Sequence, residues 1–382
     1  MDYEKEMPYA YWLHNINGVG NKGIRKLLSK ISLPSRLFLL TREQMLQIYC
    51  KKERIFTEKA IDHIEKSKEG WKVLERYNQL KMKEIDFYPE FHPAYPNRLR
   101  DIPDAPWAIY AIGSMPDFEK LTVAVVGARE CSAYGAYVAK KLGKLLAERG
   151  VQVISGMAVG IDSLVQQAAL SEQGKVAAVL GSGVDVCYPS SSKALYDELK
   201  ENGVIISEYP PGTEPRPGNF PARNRIISGL SHIVAVVEAK EKSGTLITVD
   251  MALEQGRDVY AVPGRMTDAL SIGCNRLLKQ GAGILLSAEE WINEITEDYV
   301  TFCRKDNMMK EKDGGDDLDY FTRKVLGKVD FYPKTLQKLY DEMGEDREIA
   351  ENFTCQELLT ALMKLEAEGK ILAEGCFYSL KS

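Results

Sequence analysis

The sequence predicts an α/β protein organised around a doubly wound parallel sheet, with a helical segment before it and a small separate domain after it. Three observations predict this. Residues 121–130, LTVAVVGARE, contain the unbroken apolar run Val123 to Val126, as expected of a strand buried on both faces. The run stops at Gly127, and the following AYVAKKLGKLLAERG places Val138, Leu142, Leu145 and Leu146 at helical spacing. From 121 to 287 the same alternation of short apolar runs and helical patterns repeats, which calls for parallel strands joined by crossover helices.

Within that region the predicted strands are VAVV, VQVIS (151–155), VAAVL (176–180), VIIS (204–207), IVAVVEA (233–239) and VYAV (259–262). Polar or glycine turns follow them: Gly127, Ser155-Gly156, Gly181-Ser182-Gly183 and Ser243-Gly244-Thr245. A strand, a glycine turn and a helix start make an anion site, because the first helical amides lack partners and the dipole favours negative charge. Arg129 lies in the first such turn, at the carboxyl end of its strand, where ligands bind in open α/β sheets.

Residues 8–84 read as helical. Gly18 to Gly23, GVGNKG, matches a dinucleotide glycine pattern, but no buried strand precedes it and no acidic residue closes the unit. A turn between helices fits better, like that of a SAM-like or helix-hairpin-helix domain. Such turns either hold phosphates, here with Lys22, Arg25 and Lys26 nearby, or simply pack. Six prolines in 86–118 exclude a continuous helix and indicate an extended lead-in that ends in a strand. Residues 208–231, EYPPGTEPRPGNFPARNRIISGLS, read as a long irregular loop with Tyr209, Arg216, Phe220, Arg223 and Arg225 interleaved. Long loops inside domains are usually functional, and cations beside rings suit a nucleic-acid strand.

The polar stretch 303–317 reads as a solvated linker. Beyond it come three helical patterns, the last opening with the capping box Thr354 and Glu357, then a hairpin at Glu374-Gly375, together a winged-helix pattern. The expected domains are therefore 1–85 (helical), 86–302 (sheet, with lead-in 86–120) and 318–382 (winged helix).

Net charge is −5, but 291–382 carries 13 basic against 20 acidic residues, while 120–290 balances at 18 each. Bulk charge therefore does not decide on nucleic acid, and the acidic tail suits a protein partner. Seven scattered cysteines without C-x-x-C fit a reducing cytoplasm, and the four histidines have no metal-ligand spacing. No apolar run approaches a membrane span of roughly 18 residues, and the start lacks signal-peptide order. One enzymatic alternative is a nucleotide-binding enzyme acting on nucleoside monophosphates through Asp162, Asp185, Glu208 and Glu238. It has no G-x-x-x-x-G-K-[ST] loop, no G-x-S-x-G elbow and no histidine beside those carboxylates to support it.

Seven segments then occur in one order: VAVVGAR, SGMAVGID, AVLGSGVDVCYP, ISEYPPGTEPRPGNFPARNRIISGLS, VVEAKEKSGTLIT, ALEQGRDVYAVPG and SIGCNRLLKQGA. Together they resemble the DNA-processing protein A (DprA, or Smf) family, and the helical front and winged-helix end match its layout. The resemblance implies an extended Rossmann-like sheet and a cytoplasmic, homodimeric protein that is not an enzyme and needs no cofactor or metal. It further implies binding of single-stranded DNA and loading of the RecA recombinase in natural transformation and recombination. The family's Gly-x-Arg arginine falls on Arg129, and its FPARNRII segment on Phe220 to Ile227. The DNA-binding set so implied is Gly127, Arg129, Ser155, Gly156, Lys193, Phe220, Arg223, Asn224, Arg225, Ser243, Gly244 and Thr245. Val159 and Ser190 stand where the family usually carries basic residues, and Gln166 where it has a histidine, which shifts weight to Arg223, Arg225 and Lys193.

Overall fold

The alternating apolar runs become one sheet because each central strand has two greasy faces to cover. In the strand Thr122–Val126, Val123 and Val125 enter one core while Ala124 and Val126 enter the other. In chain order the strands of this sheet are β1 (Asp86–Pro89), β2 (Ala108–Gly113), β3 (Thr122–Val126), β4 (Gln152–Ser155) and β5 (Val176–Val179). Then follow β6 (Val204–Ser207), β7 (Ile233–Val236), β8 (Asp258–Ala261) and β9 (Gly283–Ile284). The spatial order is β9-β8-β7-β3-β4-β5-β6-β2-β1. Strands β3 to β9 are parallel; at one edge β2 pairs antiparallel with β6, and β1 pairs antiparallel with β2. The chain winds outward from β3 to β6, then returns to place β7 on the other side of β3. That reversal makes the carboxyl ends of β3 and β7 the topological switch point, where an open α/β sheet leaves a crevice.

This computed structural model describes residues 3–50, 53–54, 56–314, 320–330, 333–344, 353–367, 369–374 and 377–380. The chain divides into two units, Met1–Tyr299 and Val300–Ser382. In the first, helices Ala133–Glu148, Ile161–Ser171 and Lys193–Asn202 cover one face of the sheet. Helices Asn219–Leu230, Gly244–Glu254 and Ile272–Lys279 cover the other. The N-terminal helices share the first of these cores, with Trp12 and Leu13 buried in the same cluster as Trp107 and Tyr110. Tyr110 fixes the contact: its hydroxyl lies 3.0 Å from His14 Nδ1 and accepts from Asn15 Nδ2 at 3.1 Å. Among the described residues, no helix is long and apolar enough to cross a membrane.

The second unit has its own small core, including Val325, Leu339, Leu358, Leu362 and Ile371. Helices Tyr320–Leu326, Leu336–Gly344 and Cys355–Ala367 accompany a three-stranded antiparallel sheet of Lys334–Thr335, Ile371–Glu374 and Phe377–Leu380. The capping box forms, with Glu357 N donating to Thr354 Oγ1 (3.2 Å) and Thr354 N to Glu357 Oε2 (2.7 Å). Gly375, half of the expected hairpin turn, lies outside the described residues.

Three segments differ from the sequence expectation. The stretch 8–84 is not helical throughout, because Tyr49–Cys50 and Glu53–Arg54 pair as two short antiparallel strands. Residues 208–231 are not irregular throughout, because Asn219–Leu230 is a helix. Pro221 falls in its first turn, where an amide has no intrahelical partner to lose, so a proline that looks like a breaker is tolerated. The stretch 303–317 is helical as far as Gly314, within Ala288–Gly314. Its Arg, Lys, Met and Glu residues are good helix formers and it contains no proline, so polarity alone did not distinguish solvated helix from linker.

Candidate nucleic-acid interface

At the switch point lies an open cavity of about 710 Å³. Its lining includes eight of the expected residues: Gly127, Arg129, Phe220, Arg223, Asn224, Ser243, Gly244 and Thr245. The turn that carries Arg129 is held by close backbone approach. Gly160 has φ +88°, and a Cβ there would come within 2.3 Å of Ala128 O and 2.4 Å of Arg129 O, so only glycine fits. Ile161 N then donates to Ala128 O at 3.2 Å, tying the turn to the start of the next helix. Gly127 is equally constrained, since a Cβ would sit 2.7 Å from the Ile161 side chain.

Helix starts supply amides around this cavity. Asn219–Leu230 begins at Gly218 without a side-chain cap, with Phe220 and Pro221 of its first turn on the wall. Gly244–Glu254 is capped by Ser243, whose Oγ accepts from Thr245 N at 3.2 Å, while Thr245 Oγ1 donates to Gly127 O at 3.1 Å. The positive ends of both helices thus face a space that also holds Arg129. Arg129 is exposed and has no carboxylate partner among the described residues; its guanidinium lies 5.9 Å from the Phe220 ring centroid. Phe220 in turn stands 5.3 Å from Tyr188, the rings tilted by 31°. Cation and rings are side by side at the mouth.

Arg223 is different in kind. It is 5 % exposed, and Nη1 donates to Gly156 O at 2.8 Å and to Val179 O. Burial lowers its pKa to about 10, opposed by Asp162 and reinforced by Arg129. Gly156 leaves room for it, since a Cβ would lie 2.5 Å from its Nη2. Arg223 therefore braces the floor, joining the ends of β4 and β5 while adding charge. Gly156 also lines a smaller recess of about 90 Å³ beside the cavity, and Ser155 is wholly buried with its hydroxyl donated to Val125 O (2.7 Å).

Two expected residues are elsewhere. Arg225 donates from Nη2 to Glu208 Oε1 at 2.8 Å and from Nε to Asp104 O at 2.9 Å, and it lines a separate cleft near Asn21. Lys193 is paired with Asp197 one turn along its own helix. Neither lines the switch-point cavity. Of the sequence departures, Val159 borders the small recess, whereas Gln166 is in the core with Nε2 donated to Ala177 O at 3.0 Å.

Sequence reasoning missed Tyr188, Lys240 and Lys242, which also line the cavity. Both lysines are exposed and form no ion pair among the described residues. The run AKEKSG just before the Ser243 cap carried that signal. In the N-terminal turn Asn21 and Arg25 are held in packing contacts, while Lys22 and Lys26 are exposed. Asn21 donates to Glu208 (2.6 Å) and accepts from Trp107 N (3.0 Å), and Arg25 pairs with Glu90 at 2.8 Å.

The four carboxylates considered for acid–base work are each committed to structure. Asp162 accepts from Gly156 N at 3.1 Å; burial raises its pKa, against the pull of Arg223. Asp185 accepts from Gly212 N at 2.6 Å, and Glu208 holds Arg225 and Asn21. Glu238 accepts from Ser132 N at 2.9 Å and from Ser132 Oγ at 2.5 Å. Among the described residues, no group of His, Cys, Asp and Glu is placed to hold a metal ion.

A doubly wound sheet with a cationic, aromatic-edged cavity at its switch point is an α/β arrangement suited to holding an anion. The chain belongs to the DNA recombination-mediator protein A family, whose profile matches residues 87–296. That family is one of mediators of DNA recombination rather than enzymes. The chain is 42 % identical over 228 residues to DNA processing protein DprA of Streptococcus pneumoniae, covering 58 % of this chain and 80 % of the relative. It is 33 % identical over 287 residues to protein Smf of Synechocystis, covering 74 % and 71 %. Among solved structures, DprA of S. pneumoniae superposes with TM-score 0.64 at 33 % identity, over 75 % of this chain and 97 % of that one. DNA processing protein A of Helicobacter pylori, whose structure concerns its single-stranded DNA binding mode, superposes with TM-score 0.53 at 28 % identity, over 56 % and 97 %.

Proposed function

We propose that this protein binds single-stranded DNA across the switch-point cavity and delivers the RecA recombinase to it, as a homodimer in the bacterial cytoplasm. The observation that carries the reading is the unpaired Arg129 beside the Phe220–Tyr188 ring pair, at a mouth also lined by Lys240, Lys242 and two helix starts. Cations and amides suit phosphates, and rings suit bases exposed only when the strand is single. No recognition helix is aimed from this rim, so binding with little sequence dependence follows. Ser243, Gly244, Thr245 and Asn224 complete the proposed contacts, with Arg223 acting from beneath. We further read 1–85 as a packing domain related to SAM or helix-hairpin-helix folds, and 318–382 as a winged helix whose acidity suits a protein partner.

The mediator role is tested by RecA strand exchange on DNA precoated with single-strand-binding protein. Adding this chain should shorten the lag without nucleotide consumption of its own. Binding that never shortens the lag would leave a DNA-binding protein and remove the mediator assignment.

A further inference from the structure

The helix Ala133–Glu148 begins at the crevice and presents two large rings to solvent: Tyr134 is 54 % exposed and Tyr137 is 62 % exposed. Aromatic side chains of this size are normally covered, and these two are one helical turn apart on the same ridge. The ridge is joined to the proposed DNA site through Glu238, which accepts from Ser132 N and Oγ (2.9 and 2.5 Å) and packs so closely on Gly135 that a Cβ there would lie 2.3 Å from it. Lys240 of the cavity rim and Tyr134 of the ridge each lie two residues from that hydrogen-bonded pair. Further along the helix the exposed positions are Lys140, Lys144 and the terminal Glu148, with Lys141 half-buried. Lys141 is paired with Glu289 at 2.9 Å and Lys144 with Glu172 at 3.1 Å, whereas Lys140 forms no ion pair among the described residues.

We propose that a single DNA strand leaving the cavity past Lys240 continues over this helix, its outer bases stacked on Tyr134 and Tyr137. The occupant is nucleic acid, because the ridge is continuous with a cationic rim and its exposed apolar groups are rings. Leucine and methionine, the usual face of a protein-docking helix, are absent from its exposed positions. The two tyrosines are separated by about 4.5 Å along the helix axis, so they serve one or two successive nucleotides rather than a long track. The inference rests on the proposed DNA-binding function, and the experiment separates the two.

Oligothymidylates of about 4 to 16 nucleotides are titrated against the full chain, the Tyr134→Leu/Tyr137→Leu double variant and the Tyr134→Phe/Tyr137→Phe double variant. Short oligonucleotides, which fill only the cavity, should bind all three equally and lose affinity on Arg129→Ala; failure of that control rejects the function itself. For longer oligonucleotides the leucine variant should lose about fivefold or more per base stacked, with unchanged salt dependence, while the phenylalanine variant keeps its affinity. Abasic residues at the outer positions should weaken the native chain by the same factor and leave the leucine variant unaffected. Equal affinities of native and leucine variants at every length would overturn the inference. So would an equal loss at the shortest length, or a change of mass in solution, which would make the ridge a contact between protein chains.

Discussion

Replacing Arg129 with alanine separates binding from folding. Arg129 is exposed, has no carboxylate partner among the described residues, and holds its guanidinium 5.9 Å from the Phe220 ring centroid. Its loss opens no cavity, so the variant should match the parent in unfolding free energy to within about 0.5 kcal/mol. Binding should change in a defined way. Each phosphate neutralised on a single strand contributes about −0.7 to the slope of log affinity against log salt concentration. Losing one contact should flatten the slope by that amount. Over a fourfold rise in salt, from about 50 to about 200 mM, affinity of the parent should therefore fall about 2.6-fold more than that of the variant. The comparison is Arg223→Ala, which removes a buried guanidinium that donates to Gly156 O and Val179 O. Leaving those acceptors unpaired and Asp162 without its nearby positive charge should cost about 2–4 kcal/mol in stability. Fluorescence anisotropy across a salt series and urea unfolding give both quantities. An unchanged slope for Arg129→Ala, or a melting loss as large as that of Arg223→Ala, would refute the assignment of Arg129 as a phosphate contact.

Phe220→Leu should weaken single-strand binding by about 1–3 kcal/mol with the salt slope intact, measured in the same anisotropy series, because a ring and not a charge is lost. Gly160→Ala should destabilise by at least about 1–3 kcal/mol and abolish binding, since φ +88° and the carbonyls of Ala128 and Arg129 leave no room for a Cβ; circular dichroism melts and anisotropy read the two effects. His14 is half-buried, and its pKa is pushed down to about 4 by desolvation, with Glu208 partly opposing. The unfolded histidine, with a pKa of about 6.5, takes up a proton first on acidification. Stability should thus fall between about pH 6.5 and about pH 4, at about 1.4 kcal/mol per unit from this group, and His14→Asn should show a shallower urea-midpoint profile over that window. Deletion after residue 302 should leave a folded protein that keeps its single-strand affinity, because the last unit has a core of its own; heat-capacity calorimetry and anisotropy check both halves.

The central strand was legible because burial on both faces leaves no polar residue in Val123 to Val126, and the glycine turn after it has few alternatives. Arg129 was legible from its place at the end of that strand. What the sequence could not distinguish was one arginine from another. Arg129 and Arg225 look alike in a list, and the partners that bury Arg225, Glu208 and Asp104, are 17 and 121 residues away. Arg223 hides for the same reason, its acceptors lying at the ends of β4 and β5. The helix Asn219–Leu230 was concealed by Pro221 in its first turn, and the helix through 303–314 by its polarity. Lys240 and Lys242 were readable as a basic run ahead of a capping serine; Tyr188 reaches the site through its pairing with Phe220, which no spacing announces.

The most direct test of the central claim is photocrosslinking of a single-stranded oligonucleotide carrying halogenated pyrimidines, followed by peptide mapping. Stacking at the cavity mouth predicts crosslinks on Phe220 and Tyr188, weakened by Arg129→Ala most clearly at low salt and competed by single strands but not by duplex. Crosslinks confined to residues 318–382, or to the N-terminal turn at Gly18 to Gly23, would contradict it.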